Sequence, residues 1–127
     1  MKVKYFDLKN KKVFITGGGS GIGASIVEHF CEQECEVYFV DINKKDSNKL
    51  IKDLKKKGLK TPNFIECNLI NIKKLEGTIK NIIKSKGPID ILINNAANDD
   101  RHSTDQVDEK YWNCLLYTSD AADVNWV

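Results

Sequence analysis

Gly17, Gly18, Gly19, Gly21 and Gly23 crowd together directly after the apolar run Val13-Phe14-Ile15. The chain from Ala24 to Phe30 then continues in residues that suit a helix. A strand, a glycine turn and a helix N-terminus in succession make an anion cradle. The first N–H groups of a helix have no partner within it, and the helix dipole favours negative charge beside them. Glycine lets the backbone turn tightly and approach a pyrophosphate with no Cβ in the way. A glycine-rich turn can also be a plain connection, so a second signal decides. Glu36-Val37-Tyr38-Phe39-Val40 reads as the next strand and ends in Asp41, 18 residues after Gly23. An acid at the tip of the second strand is where the ribose 2′-hydroxyl of a dinucleotide is bound. No Lys-Ser or Lys-Thr pair follows the last glycine, which excludes an NTPase-type phosphate loop. The pattern reads as a dinucleotide cradle.

These residues need a sheet to hold them, and the sequence lays one out. Strand one reads as 12–16, helix one as 21–33, strand two as 36–41 and helix two as 45–57, stopping at Gly58. Leu50, Ile51 and Leu54 share one face of helix two, and lysines cover the rest. Strand three is 63–67, and helix three, 71–85, carries Ile72, Leu75, Ile79, Ile82 and Ile83 at helical spacing until Gly87-Pro88 ends it. Strand four, 89–94, is almost uniformly apolar, as a strand covered on both faces should be. Strands alternating with helices specify an α/β, Rossmann-type doubly wound parallel sheet with right-handed crossovers. Residues 1–12 read as an extended polar arm, 95–106 as a polar loop, and a further helix starts near Val107 to Trp112. Helix one ends in Gln33-Glu34-Cys35 without the glycine usual at a left-handed stop. If Glu34 takes that conformation, the cost is about 1 kcal/mol.

The 127 residues leave room for one modest domain, and 41% hydrophobic with 30% charged residues is an ordinary globular composition. A net charge of +2 argues for neither nucleic acid nor a membrane surface. The lysines of helix two have no aromatics between them and read as a solvated face. The N-terminus has no signal-peptide pattern, and no apolar run is long enough to span a membrane, so a cytoplasmic location is the expectation. Cys31, Cys35, Cys67 and Cys114 form no Cys-x-x-Cys pair, and His29 and His102 share no ligand spacing with them; reduced core cysteines, and no metal, are expected.

Thr16-Gly17-x-x-x-Gly21-Ile22-Gly23, followed at the right distance by Asn94-Asn95-Ala96-Ala97, resembles the short-chain dehydrogenase/reductase family, over residues 5 to about 113. The resemblance implies that the backbone around Ser20, Gly21 and Ile22 holds a pyrophosphate and that Asp41 holds the adenosine ribose. It implies that Asn68 and Leu69 contact the adenine, although the family has Asp where this chain has Asn68. An amide oxygen can still accept from the adenine amino group. Asn95 and Ala96 would lie along the nicotinamide-side ribose. Charge favours NAD over NADP, because Asp41 repels a 2′-phosphate and neither Gly19 nor Ser20 is basic; only Lys44 and Lys45 speak for NADP. The loop from Asn94 to His102, with Tyr111-Trp112 after it, resembles the members that oxidise aldoses such as xylose, galactose or arabinose at C1 with NAD. The alternatives are another short-chain alcohol or 3-oxoacyl dehydrogenase, or a non-catalytic dinucleotide-binding module. A full-length parent would be a homotetramer or homodimer.

The family's catalytic Ser, Tyr and Lys all lie beyond residue 113 in its order, so no residue here is carried over as catalytic. Tyr5 and Lys9 have the Tyr-x-x-x-Lys spacing but precede strand one. Ser119 stands where the family's supporting Asn is expected, and Asn125 is out of register. Residues 114–123 resemble the in-frame translation of an adapter used in preparing DNA-sequencing libraries. The expected organisation is therefore a dinucleotide-binding half at 1–113 and a non-native tail at 114–127. Four strands in the order 3-2-1-4 would leave strand four an exposed apolar edge, prone to self-association.

Overall fold

Val13, Phe14 and Ile15 are wholly buried because their strand lies inside a sheet covered on both faces. The computed structural model describes residues 3–95 and the backbone of residues 125–126. Its elements are β1 (Lys12–Thr16), α1 (Gly21–Glu32), β2 (Glu36–Asp41), α2 (Lys44–Lys56), β3 (Asn63–Glu66), α3 (Ile72–Lys86), β4 (Ile91–Asn94) and β5 (Asn125–Trp126). All pairings are parallel, in the order β3-β2-β1-β4-β5. The register sets Thr16 level with Val40 on one side and with Asn94 on the other. Three strands therefore end together at one edge of the sheet, the edge at which the glycine turn begins.

Strand alternation sorts the core into two layers. Phe14, Tyr38, Val40 and Leu92 pack on one face with Leu75, Ile79 and Ile82 of α3. Val13, Ile15, Val37, Phe39 and Ile93 pack on the other with Val27 and Cys31 of α1 and Leu54 of α2. Helices on both faces make the sheet doubly wound, as expected. Cys31, Cys35 and Cys67 are free and buried in these layers, and burial pushes the Cys31 thiol up to about 12 and the Cys35 thiol up to about 11. Among the described residues, no helix is long and apolar enough to cross a membrane, and no three His, Cys, Asp or Glu side chains gather to hold a metal ion.

Three expectations need correction. Residues 3–11 are not simply extended: Phe6–Leu8 form a 3-10 turn that folds against the end of α1. The Gln33 amide grips this arm at two points, accepting from Tyr5 N (2.7 Å) and donating to Val3 O (2.6 Å). β4 begins at Ile91, not Ile89, because Asp90 replaces part of the ladder with its side chain: Oδ2 accepts from Lys12 N at 2.8 Å while Asp90 N donates to Lys12 O at 2.9 Å. Finally, the outer side of β4 is not an open edge at Ile91 and Leu92, which pair with Asn125 and Trp126 of β5. The expected loop and helix start between Ala96 and Trp112 lie outside the described residues.

The stop of α1 is as anticipated. Glu34 takes φ 62°, with Glu34 N donating to Cys31 O and Cys35 N to Phe30 O. Gly58 ends α2 in the same way at φ 74°, with bonds from Gly58 N to Lys55 O and from Leu59 N to Leu54 O. Asn10 N, which donates to Glu34 O at 3.0 Å, ties the arm to the more costly of the two stops.

Candidate functional site

The turn after β1 is held from below by β2: Gly17 N donates to Val40 O at 2.8 Å. From there the chain rises through Gly18 and Gly19, both buried, to Ser20, which precedes the first turn of α1. Gly21 has φ +57°, with nothing within 4 Å of where a Cβ would stand, so its side faces open space. Gly23 is the opposite case. A Cβ there would collide with the Gly17 carbonyl and stand 2.6 Å from Asn95 Nδ2, so only glycine lets α1 lie this close to β1.

Ser20 is of a type that favours capping, yet its side chain makes no capping bond to α1. Asn43 and Asn71 do cap α2 and α3, accepting from Asp46 N at 3.0 Å and Lys74 N at 3.1 Å. Among the described residues, no side chain caps the first-turn N–H groups of α1, which point outward from the helix. Ile22, 76% exposed, stands beside them.

Asp41 closes the second side. Its Oδ2 accepts from Gly19 N at 2.9 Å and its Oδ1 from Asn43 N at 2.7 Å. Each carboxylate oxygen keeps a further lone-pair direction, enough to receive a pair of vicinal hydroxyls. The third side is the end of β4. Thr16, wholly buried, bonds through Oγ1 to Asn94 Oδ1 at 3.1 Å and accepts from Asn95 N at 3.0 Å. Asn95 Nδ2 donates to Gly17 O at 3.2 Å, which ties the tip of β4 to the glycine turn.

The structure therefore brings Gly17, Ser20, Gly21, Ile22, Gly23, Asp41 and Asn95 to one edge of the sheet. Asn68 and Leu69 follow β3 at the same edge; Asn68 is exposed, with Oδ1 accepting from Ile70 N at 3.0 Å, and Leu69 is half-buried. That bond occupies part of the acceptor capacity expected of Asn68. Ala96 lies outside the described residues. Thr16, Asn43 and Ser47 take part in the hydrogen bonding around the turn; Thr16 stands in the sequence motif without a role given to it, and Asn43 and Ser47 stand outside the motif. Asn43 had a readable signal in Asn43-x-x-Asp46, whereas Ser47, on a lysine-rich helix, had none. With donors on α1 and a fixed carboxylate on β2, the edge can hold a phosphate and a sugar hydroxyl pair side by side.

A protein-family model described as "short chain dehydrogenase" matches residues 11–125, running past Asn113 into the segment expected to be non-native. The D-xylose 1-dehydrogenase of Caulobacter vibrioides is 43% identical over 108 residues, 85% of this chain and 42% of that protein. A Rhizobium meliloti protein named "probable galactose dehydrogenase" is 38% identical over 106 residues, 84% of this chain and 41% of its own. The chain thus spans less than half the length of these two relatives. Among solved structures, a β-ketoacyl-ACP reductase from Bacteroides thetaiotaomicron superposes with a TM-score of 0.75 at 23% identity, covering 89% of this chain and 57% of that one. At that identity the likeness speaks for the fold alone. On the family match and the 43% identity together, the chain belongs to the short-chain dehydrogenase family.

Proposed function

We propose that residues 1–113 are the NAD-binding half of a dehydrogenase that oxidises an aldose at C1. The observation that carries the cofactor reading is Asp41, whose carboxylate is fixed by Gly19 N and Asn43 N at the tip of β2. A fixed anion there accepts from the adenosine 2′- and 3′-hydroxyls and repels a 2′-phosphate. The residues fit the whole group: the Gly21 side is open, the α1 donors are left by Ser20, and Asn95 borders the far side. Ser20, Gly21, Ile22 and Gly23 would hold the pyrophosphate, Asn68 and Leu69 the adenine, and Asn95 and Ala96 the nicotinamide-side ribose.

When bound, NAD would supply the hydride acceptor for oxidation of the sugar at C1 to a lactone. This chain's part in that chemistry is to bind and orient, and no residue of it is assigned a catalytic role. The sugar reading rests on the likeness to the xylose and galactose enzymes.

Calorimetric titration of the 127-residue chain with NAD and with NADP tests the cofactor. NAD should bind at least tenfold more tightly, and the preference should collapse in Asp41→Asn. Equal or tighter binding of NADP overturns it. Reading the gene from source DNA past codon 113 tests the other half. A frame that continues into a Ser and a Tyr-x-x-x-Lys supports a catalytic parent, and a stop directly after codon 127 leaves a nucleotide-binding module.

A further inference from the structure

Ser47 and Thr16 are the two wholly buried polar side chains among the described residues. Thr16 joins β1 to β4. Ser47 lies on the first turns of α2, and its hydroxyl donates to Asn43 O at 2.7 Å. The same carbonyl also accepts Ser47 N at 3.1 Å. A helical serine bonding back to the fourth residue before it is common; the surroundings set this one apart. A Cβ built on Gly19 would run into Ser47 Oγ and stand 2.9 Å from Asp41 Oδ2. The hydroxyl thus sits directly behind the glycine turn, against the peptide whose N–H holds Asp41. Asn43, gripped at its carbonyl by Ser47, gives its own N–H to the other oxygen of Asp41.

On the reading that this edge binds NAD, we infer that Ser47 is a positioning residue for cofactor discrimination, bracing Asn43 and the Gly19 turn so that the Asp41 carboxylate stays aimed at the 2′ position. The sign of the effect follows. A carboxylate held in place attracts a 2′-hydroxyl and repels a 2′-phosphate. One that can swing away does both less, so loosening it lowers affinity for NAD and raises affinity for NADP. Removal of the Ser47 hydroxyl therefore changes the ratio of the two affinities, whereas a merely structural serine would change both alike.

The experiment is titration of the full chain and its Ser47→Ala variant with NAD and NADP. Loss of one hydrogen bond in the brace should lower the preference for NAD by about fivefold. In an Asp41→Ala background the same substitution should leave the ratio unmoved, because the group it acts through is gone. Ser47→Cys keeps a weak donor at similar volume and should show a smaller fall in the same direction. An unchanged preference in both variants, or in the cysteine variant alone should Ser47→Ala not fold, overturns the inference. So does an independent further fall in the Asp41→Ala background. If the unsubstituted chain binds neither nucleotide, the cofactor reading falls and takes this one with it. If that chain prefers NAD and Ser47→Ala keeps the preference, only the role of Ser47 is lost.

Discussion

At the start of α3, Asn71 turns its side chain onto the helix and accepts from Lys74 N at 3.1 Å; at the start of α1, Ser20 makes no such bond. Both residues are good caps by type. The difference lies in how the chain arrives. Asn71 enters at φ −81°, ψ 81°, whereas Ser20 is nearly fully extended at φ −154°, ψ 168°, coming straight off the glycine turn. A capped terminus is complete in itself. The α1 terminus, which has no side-chain cap, faces the common edge of β1, β2 and β4. The contrast teaches that the conformation in which the chain enters a helix, and not residue type alone, decides whether its first residue caps it.

The strongest way to break that contrast is to push α1 off the turn. Gly23→Ala places a methyl against the Gly17 carbonyl and the Asn95 amide, both part of the frame. Overpacking against backbone should cost about 3 kcal/mol, read as a lower urea midpoint. A loss below 1 kcal/mol would mean that α1 can shift without penalty and that the close approach is not essential. Gly21→Ala is milder, since nothing stands within 4 Å and only the φ of +57° resists it. Stability should fall by about 1 kcal/mol. Affinity for NAD should fall by tenfold or more, because the new methyl stands on the open side of the turn. Equal losses in the two quantities would remove the distinction between a terminus shaped for folding and one shaped for binding.

Much of this was legible in the sequence, for reasons that can be named. β2 was found with its observed ends because Val37 to Val40 are all buried and Asp41 sits at the edge. The left-handed stop at Glu34 was readable because Cys31-Glu32-Gln33-Glu34-Cys35 must end a helix with no glycine to do it. What was missed depends on partners distant in the chain. The arm at 3–11 is fixed by Gln33, 28 and 30 residues from Tyr5 and Val3, which no local pattern reveals. The start of β4 was misplaced because the carboxylate of Asp90 took a ladder position 78 residues from its partner, Lys12. Two residues, Asn125 and Trp126, are too few to show a strand period, so the partner of β4 was invisible. At the candidate site, the glycines and Asp41, which the fold brings to one edge of the sheet, were singled out by spacing. Ser47 was not, since its significance is that its hydroxyl lies behind Gly19, and spacing does not carry that.

The smallest effects test the contrast most directly. Asn71→Ala removes a working cap and should cost about 1 kcal/mol in urea unfolding. Ser20→Ala removes a side chain that caps nothing, on an exposed position, and should change stability by less than about 0.5 kcal/mol. The pair forms an internal control: two N-terminal residues of capping type, changed to the same residue, in one protein. If Ser20→Ala costs as much as Asn71→Ala, the serine is capping α1 in solution, and the first-turn donors are not held in reserve for a ligand. If it costs almost nothing, the stability of α1 comes from Val27 and Cys31 against the sheet, and its first turn is at liberty to serve an anion.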